Sequence, residues 1–122
     1  MTYTVEEKKE WRCKLTALSK QVSRMSKEER EALAMRCGTL TAEGHPLSVF
    51  NCCFLWQQAG RVLAQVGGFR QWQKAGRQVK AGEHAIGVIY APSVKKSEDE
   101  DGEDSTRFLL VPVFDISQTQ EL

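Results

Sequence analysis

Between Gly60 and Gly82 five cations, Arg61, Arg70, Lys74, Arg77 and Lys80, occur without one acidic residue, and Phe69 and Trp72 stand among them. Positive charge interleaved with aromatic faces suits a single-stranded nucleic acid. Cations neutralise phosphates and release counterions, and unpaired bases stack on rings for about 1–3 kcal/mol each. Bases held in a duplex are much less available for that stacking. The same residues also have a structural reading, in which Phe69 and Trp72 belong to the core beside a solvated basic face. Other chemistry is not assembled. Cys13, Cys37, Cys52 and Cys53 show no CxxC spacing, and neither His45 nor His84 completes a finger pattern, so buried reduced thiols are expected rather than a metal. Asp115 is a lone carboxylate without a readable partner, which offers no catalytic mechanism. Neither a cofactor nor an enzymatic activity is expected.

The elements that must position these residues follow from caps and periodicity. Thr4 with Glu7 resembles a capping box, and Trp11, Leu15, Leu18, Val22 and Met25 then recur at spacings of four and three, giving an amphipathic helix of about five turns. Its stripe covers the core or a neighbouring helix, and a short coiled-coil dimer stays open. Ser26 and Glu29 repeat the signature for a second helix over Lys27 to Cys37, stopped by Gly38, so residues 1–38 form a helical hairpin. Ser48 can cap a third, apolar helix over Val49 to Ala59 in which Asn51 is the odd polar residue. Val66-Gly67-Gly68 reads as a loop, Arg70 to Ala75 as a short helix stopped by Gly76, and Lys80 to Glu83 as a tight turn. His84 to Ala91 is a strand ended by Pro92, and Phe108 to Phe114 is a second strand antiparallel to it. Pro112 there argues for an edge or a bulge. The fold class is α+β, with the hairpin and third helix packed on a small, mainly antiparallel sheet.

The chain has 122 residues, the length of a single domain, with 41% hydrophobic residues for a modest core. Its net charge of +1 hides a segregation: seven Lys or Arg against Glu83 alone lie between Gly44 and Lys96, whereas Glu98 to Asp104 holds six acids. Residues 93–105 read as a mobile acidic loop, either solvated and inert or competing with phosphate for the basic groove. The charged start, Met1 to Glu10, lacks the apolar core of a signal peptide, and the longest apolar run, Val49 to Trp56, is interrupted by Asn51. A soluble cytoplasmic protein with no membrane partner is expected.

From Leu47 the residues fall into an ordered series: Leu47-Ser48-Val49-Phe50-Asn51, Gln58, Gly68-Phe69-Arg70-Gln71-Trp72, Ala75-Gly76-Arg77-Gln78-Val79, Lys80-Ala81-Gly82-Glu83, Ala91-Pro92 and Val113-Phe114-Asp115-Ile116-Ser117-Gln118-Thr119. The series resembles the N-terminal domain of ArdC-type antirestriction proteins, over residues 46–119. The resemblance implies binding of single-stranded DNA and an origin in plasmids, conjugative elements or phages, often ahead of a zincin-like metallopeptidase domain. Here the sequence stops three residues after Thr119 and contains no HExxH, so a free-standing binding module without the enzyme is expected.

The candidate DNA-binding residues are Asn51, Arg61, Phe69, Arg70, Trp72, Lys74, Arg77 and Lys80. Trp72, between Arg70 and Lys74, either stacks a base or anchors its helix. Arg77 and Lys80, beside Gly76 and Gly82, either hold phosphate or pair with Glu83 or the acidic loop. Asn51 either reads a base edge or serves as a structural cap. Phe114, Asp115 and Gln118 complete the fold. The leading function is a non-catalytic single-stranded DNA-binding protein of mobile-element type, with an antirestriction role. The alternative is a protein-interaction module in which the Trp11 to Met25 stripe or the acidic loop engages a restriction or replication protein.

Overall fold

The computed structural model describes residues 4–94 and 106–122. Three hydroxyl caps start its long helices. Thr4 Oγ1 accepts from Glu7 N at 3.1 Å before α1 (Val5–Arg24), Ser26 Oγ from Glu29 N at 3.1 Å before α2 (Lys27–Cys37), and Ser48 Oγ from Asn51 N at 3.3 Å before α3 (Val49–Ala59). Each satisfies an amide that the first helical turn leaves free, contributing about 1 kcal/mol.

Short strands weave the remainder together. In chain order they are β1 (Leu40–Thr41), β2 (Gln65–Gly67), β3 (Arg77–Val79), β4 (Gly87–Val94), β5 (Thr106–Asp115) and β6 (Thr119–Glu121). The helix α4 (Phe69–Lys74) follows β2, and a 3-10 turn (Ile116–Gln118) joins β5 to β6. One sheet has the order β1-β2-β5-β4, with β1 parallel to β2 and the other pairs antiparallel, while β3 and β6 form a separate antiparallel ribbon. The class is α+β, as the sequence implied.

Three departures from the sequence reading have physical causes. Val66 and Gly67, expected in a loop, pair with Asp115 and Phe114, a long-range contact that local sequence does not announce. The first long strand runs from Gly87 to Val94, through Pro92. Val88 and Tyr90 turn their backbone groups outward to α3, so the pairs Val88–Pro112, Tyr90–Leu110 and Pro92–Phe108 are of the wide, non-hydrogen-bonded kind. Both prolines therefore stand where the ladder needs no N–H, and neither breaks it. Of the acidic segment 93–105, Ser93 and Val94 end β4, and residues 95–105 lie outside the described residues.

Helix α3 is the centre of the core. Cys53 and Phe54 meet Leu15 and Val22 of α1, Leu33 and Cys37 of α2, and Val88 of β4, so α1 and α2 both pack on α3. Leu55 packs on the other side with Leu63, Val66 and Val113. A third cluster, Ala42, Trp72 and Phe114, fixes α4 to the sheet. Among the described residues no helix is long and apolar enough to cross a membrane.

Candidate nucleic-acid interface

The aromatic residues between Gly60 and Gly82 divide cleanly. Trp72 is 1% exposed, and its Nε1 donates to Phe114 O at 3.0 Å. With the ring enclosed and its donor engaged, Trp72 has no face to offer a base, and the anchoring role replaces the stacking one expected from sequence. The fit is close: a Cβ on Gly67 would stand 2.8 Å from Ala42 Cβ and 3.3 Å from Trp72 Nε1. Phe69, three positions earlier, turns the other way. It is 56% exposed and leans on Phe114, with ring centroids 4.6 Å apart at an interplanar angle of 54°. One face is thus braced by a buried ring while much of the side chain meets solvent.

The cations that follow Phe69 lie on α4, on β3 and in the turn after it. Arg70 and Lys74 are exposed on α4 four residues apart, hence on one face of the helix. Arg77 follows on β3, half-buried, with Nε donating to Thr119 Oγ1 at 2.7 Å and Nη2 to Thr119 O at 3.2 Å. Among the described residues its fork uses two of five donors, and Glu121 faces it across the ribbon. Lys80 is exposed at the start of a turn closed by Glu83 N donating to Lys80 O at 3.3 Å, which requires the positive φ of Gly82, +83°. Lys80 Nζ lies 3.4 Å from Ser117 O. Arg61 is exposed in the connection from α3 to β2, outside this segment.

Asn51 is drawn away from any ligand role by its own bonds. It is 9% exposed, its Nδ2 donates to Tyr90 O at 2.9 Å, and its Oδ1 accepts from Tyr90 N at 3.0 Å. Gln58 repeats this at Val88, donating to the carbonyl at 2.8 Å and accepting from the amide at 2.9 Å. Two amides on α3 thus stand in for a further strand and close the open edge of β4. The base-reading role expected as one option for Asn51 gives way to this clamp. Gln58 appears in the sequence as a conspicuous polar residue, but nothing local reveals its strand partner.

The Phe-Asp-x-x-Gln-Thr series proves to be a local knot. Asp115 Oδ2 accepts from Ser117 N at 3.2 Å and from the Ser117 hydroxyl, and Gln118 Oε1 accepts from Asp115 N at 2.9 Å. Gln118 Nε2 also reaches His84 O at 2.6 Å and Glu83 Oε2 at 3.1 Å, while Thr119 Oγ1 donates to Ile116 O at 2.7 Å. The knot holds the Lys80–Glu83 turn and Arg77 in place. Among the described residues, the buried Asp115 Oδ1 has no hydrogen-bond partner.

Burial pushes the Cys37 and Cys53 thiols up and that of Cys52 to about 11, while Cys13 is exposed. Thiols so far from ionisation are poor nucleophiles and poor metal ligands. Among the described residues no three His, Cys, Asp or Glu side chains converge on a position that could hold a metal ion.

The sequence profile of the N-terminal domain of anti-restriction factor ArdC matches residues 8–117. Two solved structures of the antirestriction ArdC protein from R388 plasmid resemble the fold. The Mn(II)-bound structure has a TM-score of 0.55 at 21% identity over 76% of this chain, and the metal-free structure 0.54 at 20% over 88%. This chain spans about two-fifths of their length, 40% and 42% respectively, and at such identity the likeness is one of fold. No curated protein matches the chain.

Proposed function

The chain belongs to the family of N-terminal domains of the anti-restriction factor ArdC, and from that premise we propose that it is a non-catalytic, cytoplasmic binding protein for single-stranded DNA. The observation that carries the reading is Phe69: a half-exposed ring, braced from behind by Phe114 and flanked on its own helix by the exposed cations Arg70 and Lys74. A base stacks on Phe69, and Arg70, Lys74, Arg77 and Lys80 hold the adjoining phosphates. A duplex keeps its bases stacked on one another and gains only the phosphate contacts. The preference for single strands therefore resides in the ring, and the salt dependence in the cations. Binding of this kind has little sequence preference and suits protection of strands exposed during transfer of a mobile element.

The test is a titration of labelled single-stranded and duplex oligonucleotides of equal length, followed by fluorescence anisotropy at several salt concentrations. Four phosphate contacts should give the single strand a slope of log K against log salt of about −3, at roughly −0.7 per phosphate. Single strands should bind more tightly than duplex. Equal affinity for the two forms, or no binding at low salt, removes this function.

A further inference from the structure

Across the β3–β6 ribbon Arg77 stands directly opposite Glu121. Lys80 N donates to Gln118 O at 2.9 Å and Leu122 N to Gly76 O at 3.1 Å, so the Arg77–Glu121 pair is of the non-hydrogen-bonded kind, in which facing side chains stand closest. Opposite charges so placed are expected to pair. Arg77 instead reaches diagonally to Thr119, with Nε donating to Oγ1 at 2.7 Å and Nη2 to the carbonyl at 3.2 Å. Thr119 is 3% exposed, and its hydroxyl hydrogen is directed to Ile116 O at 2.7 Å, so Oγ1 meets Arg77 as an acceptor. Nε and Nη2 make one edge of the planar guanidinium. The second edge, formed by Nη1 and the other hydrogen of Nη2, is thereby set in orientation, and its two parallel N–H groups match the oxygens of a phosphate.

We propose that Thr119 is a positioning residue for phosphate recognition by Arg77. It draws the guanidinium away from Glu121, whose carboxylate would otherwise take the place of a phosphate, and presents the second edge to the strand. Thr119 itself meets no DNA. The inference rests on the single-strand reading above and adds to it the residue that keeps Arg77 available.

Anisotropy with a labelled single-stranded oligonucleotide at low salt tests this on the full chain, each variant first shown by circular dichroism to be folded. Arg77→Ala should weaken binding about tenfold, as loss of a charged bidentate contact does. Thr119→Val keeps the shape without the acceptor and should weaken it by about three- to tenfold, while Thr119→Ser, which keeps the hydroxyl, should bind within about twofold of the wild type. Two combinations separate positioning from mere support of the fold. Arg77→Ala/Thr119→Val should be no weaker than Arg77→Ala alone. Glu121→Gln should raise affinity more in the Thr119→Val background than in the wild type, because it removes the partner that the released Arg77 finds. Thr119→Val that binds as the wild type does, or whose loss adds in full to that of Arg77→Ala, overturns the proposal and leaves the single-strand reading standing. So does an Arg77→Ala variant of undiminished affinity. A wild type that binds no single strand removes both. Should Thr119→Val not fold, the Arg77 Nε–H resonance of the wild type decides: it should stay protected from exchange when the oligonucleotide is added, and loss of that protection overturns the proposal.

Discussion

Replacing Gln58 with alanine removes the amide that occupies both backbone groups of Val88, at 2.8 and 2.9 Å. Val88 is buried beneath α3, and the neighbouring Gly87 stands so close that a Cβ there would be 2.9 Å from Leu55 Cδ2. Water has little room to replace the amide. Each buried group left unpaired costs about 1–3 kcal/mol, so the pair should cost roughly 2–6 kcal/mol, a sizeable part of the 5–15 kcal/mol typical of a domain. That corresponds to a fall in Tm of roughly 10–20 °C for a chain of this size. Urea unfolding followed by circular dichroism reads the change as a lower midpoint at an unchanged slope. Gln57→Ala, turned about 100° round the helix, is the control and should cost under about 0.5 kcal/mol. Asn51→Ala should match Gln58→Ala because it strips Tyr90 in the same way. The double variant frees the outer edge of β4 and should self-associate more readily. If Gln58→Ala unfolds within about 0.5 kcal/mol of the wild type, the amide clamp does not hold the edge.

Other consequences are as direct. Trp72→Phe deprives Phe114 O of its Nε1 donor and should cost about 1–3 kcal/mol of stability; thermal unfolding that matches the wild type would contradict the anchoring role. Arg70→Ala should reduce the magnitude of the salt slope for single-strand binding by about 0.7, and an unchanged slope would show that Arg70 holds no phosphate. The Cys52 thiol titrates near 11 in the fold against 9.0 for an unshifted thiol, so the unfolded chain loses its proton first. Its contribution is complete below pH 9 and is lost as the pH rises toward 11; Cys52→Ala should flatten stability across that window. Iodoacetamide at about pH 8 should label the exposed Cys13 well before the three buried thiols, and equal labelling would show that their burial is not maintained.

The helices were legible because their signals are local. Thr4, Ser26 and Ser48 each cap the amide three residues on, and the boundaries of α2 and α3 fall where caps and glycines put them. Four strands of two or three residues, β1, β2, β3 and β6, were not legible, since each exists only by pairing with a distant segment. The prolines misled for a related reason. Whether Pro92 stops a strand depends on which way its missing N–H would point, and that is set by the outward bonds of Val88 and Tyr90. At the candidate site the cluster of cations and rings was visible, but not its division of labour. Phe69 and Trp72 sit on one short helix, and only their packing on the two sides of Phe114 and Ala42 decides which ring is buried. Asn51 drew notice as a polar residue in an apolar helix, and its partner proved to be strand backbone rather than a ligand.

The most direct measurement compares single-strand binding by Phe69→Ala and Trp72→Phe with the wild type, using anisotropy at one low salt concentration and proteins shown to be folded. If one base stacks on Phe69, its removal should weaken binding roughly 5- to 150-fold, the equivalent of about 1–3 kcal/mol, while Trp72→Phe binds as the wild type does. Undiminished binding by Phe69→Ala, or an equal loss in folded Trp72→Phe, would contradict the account.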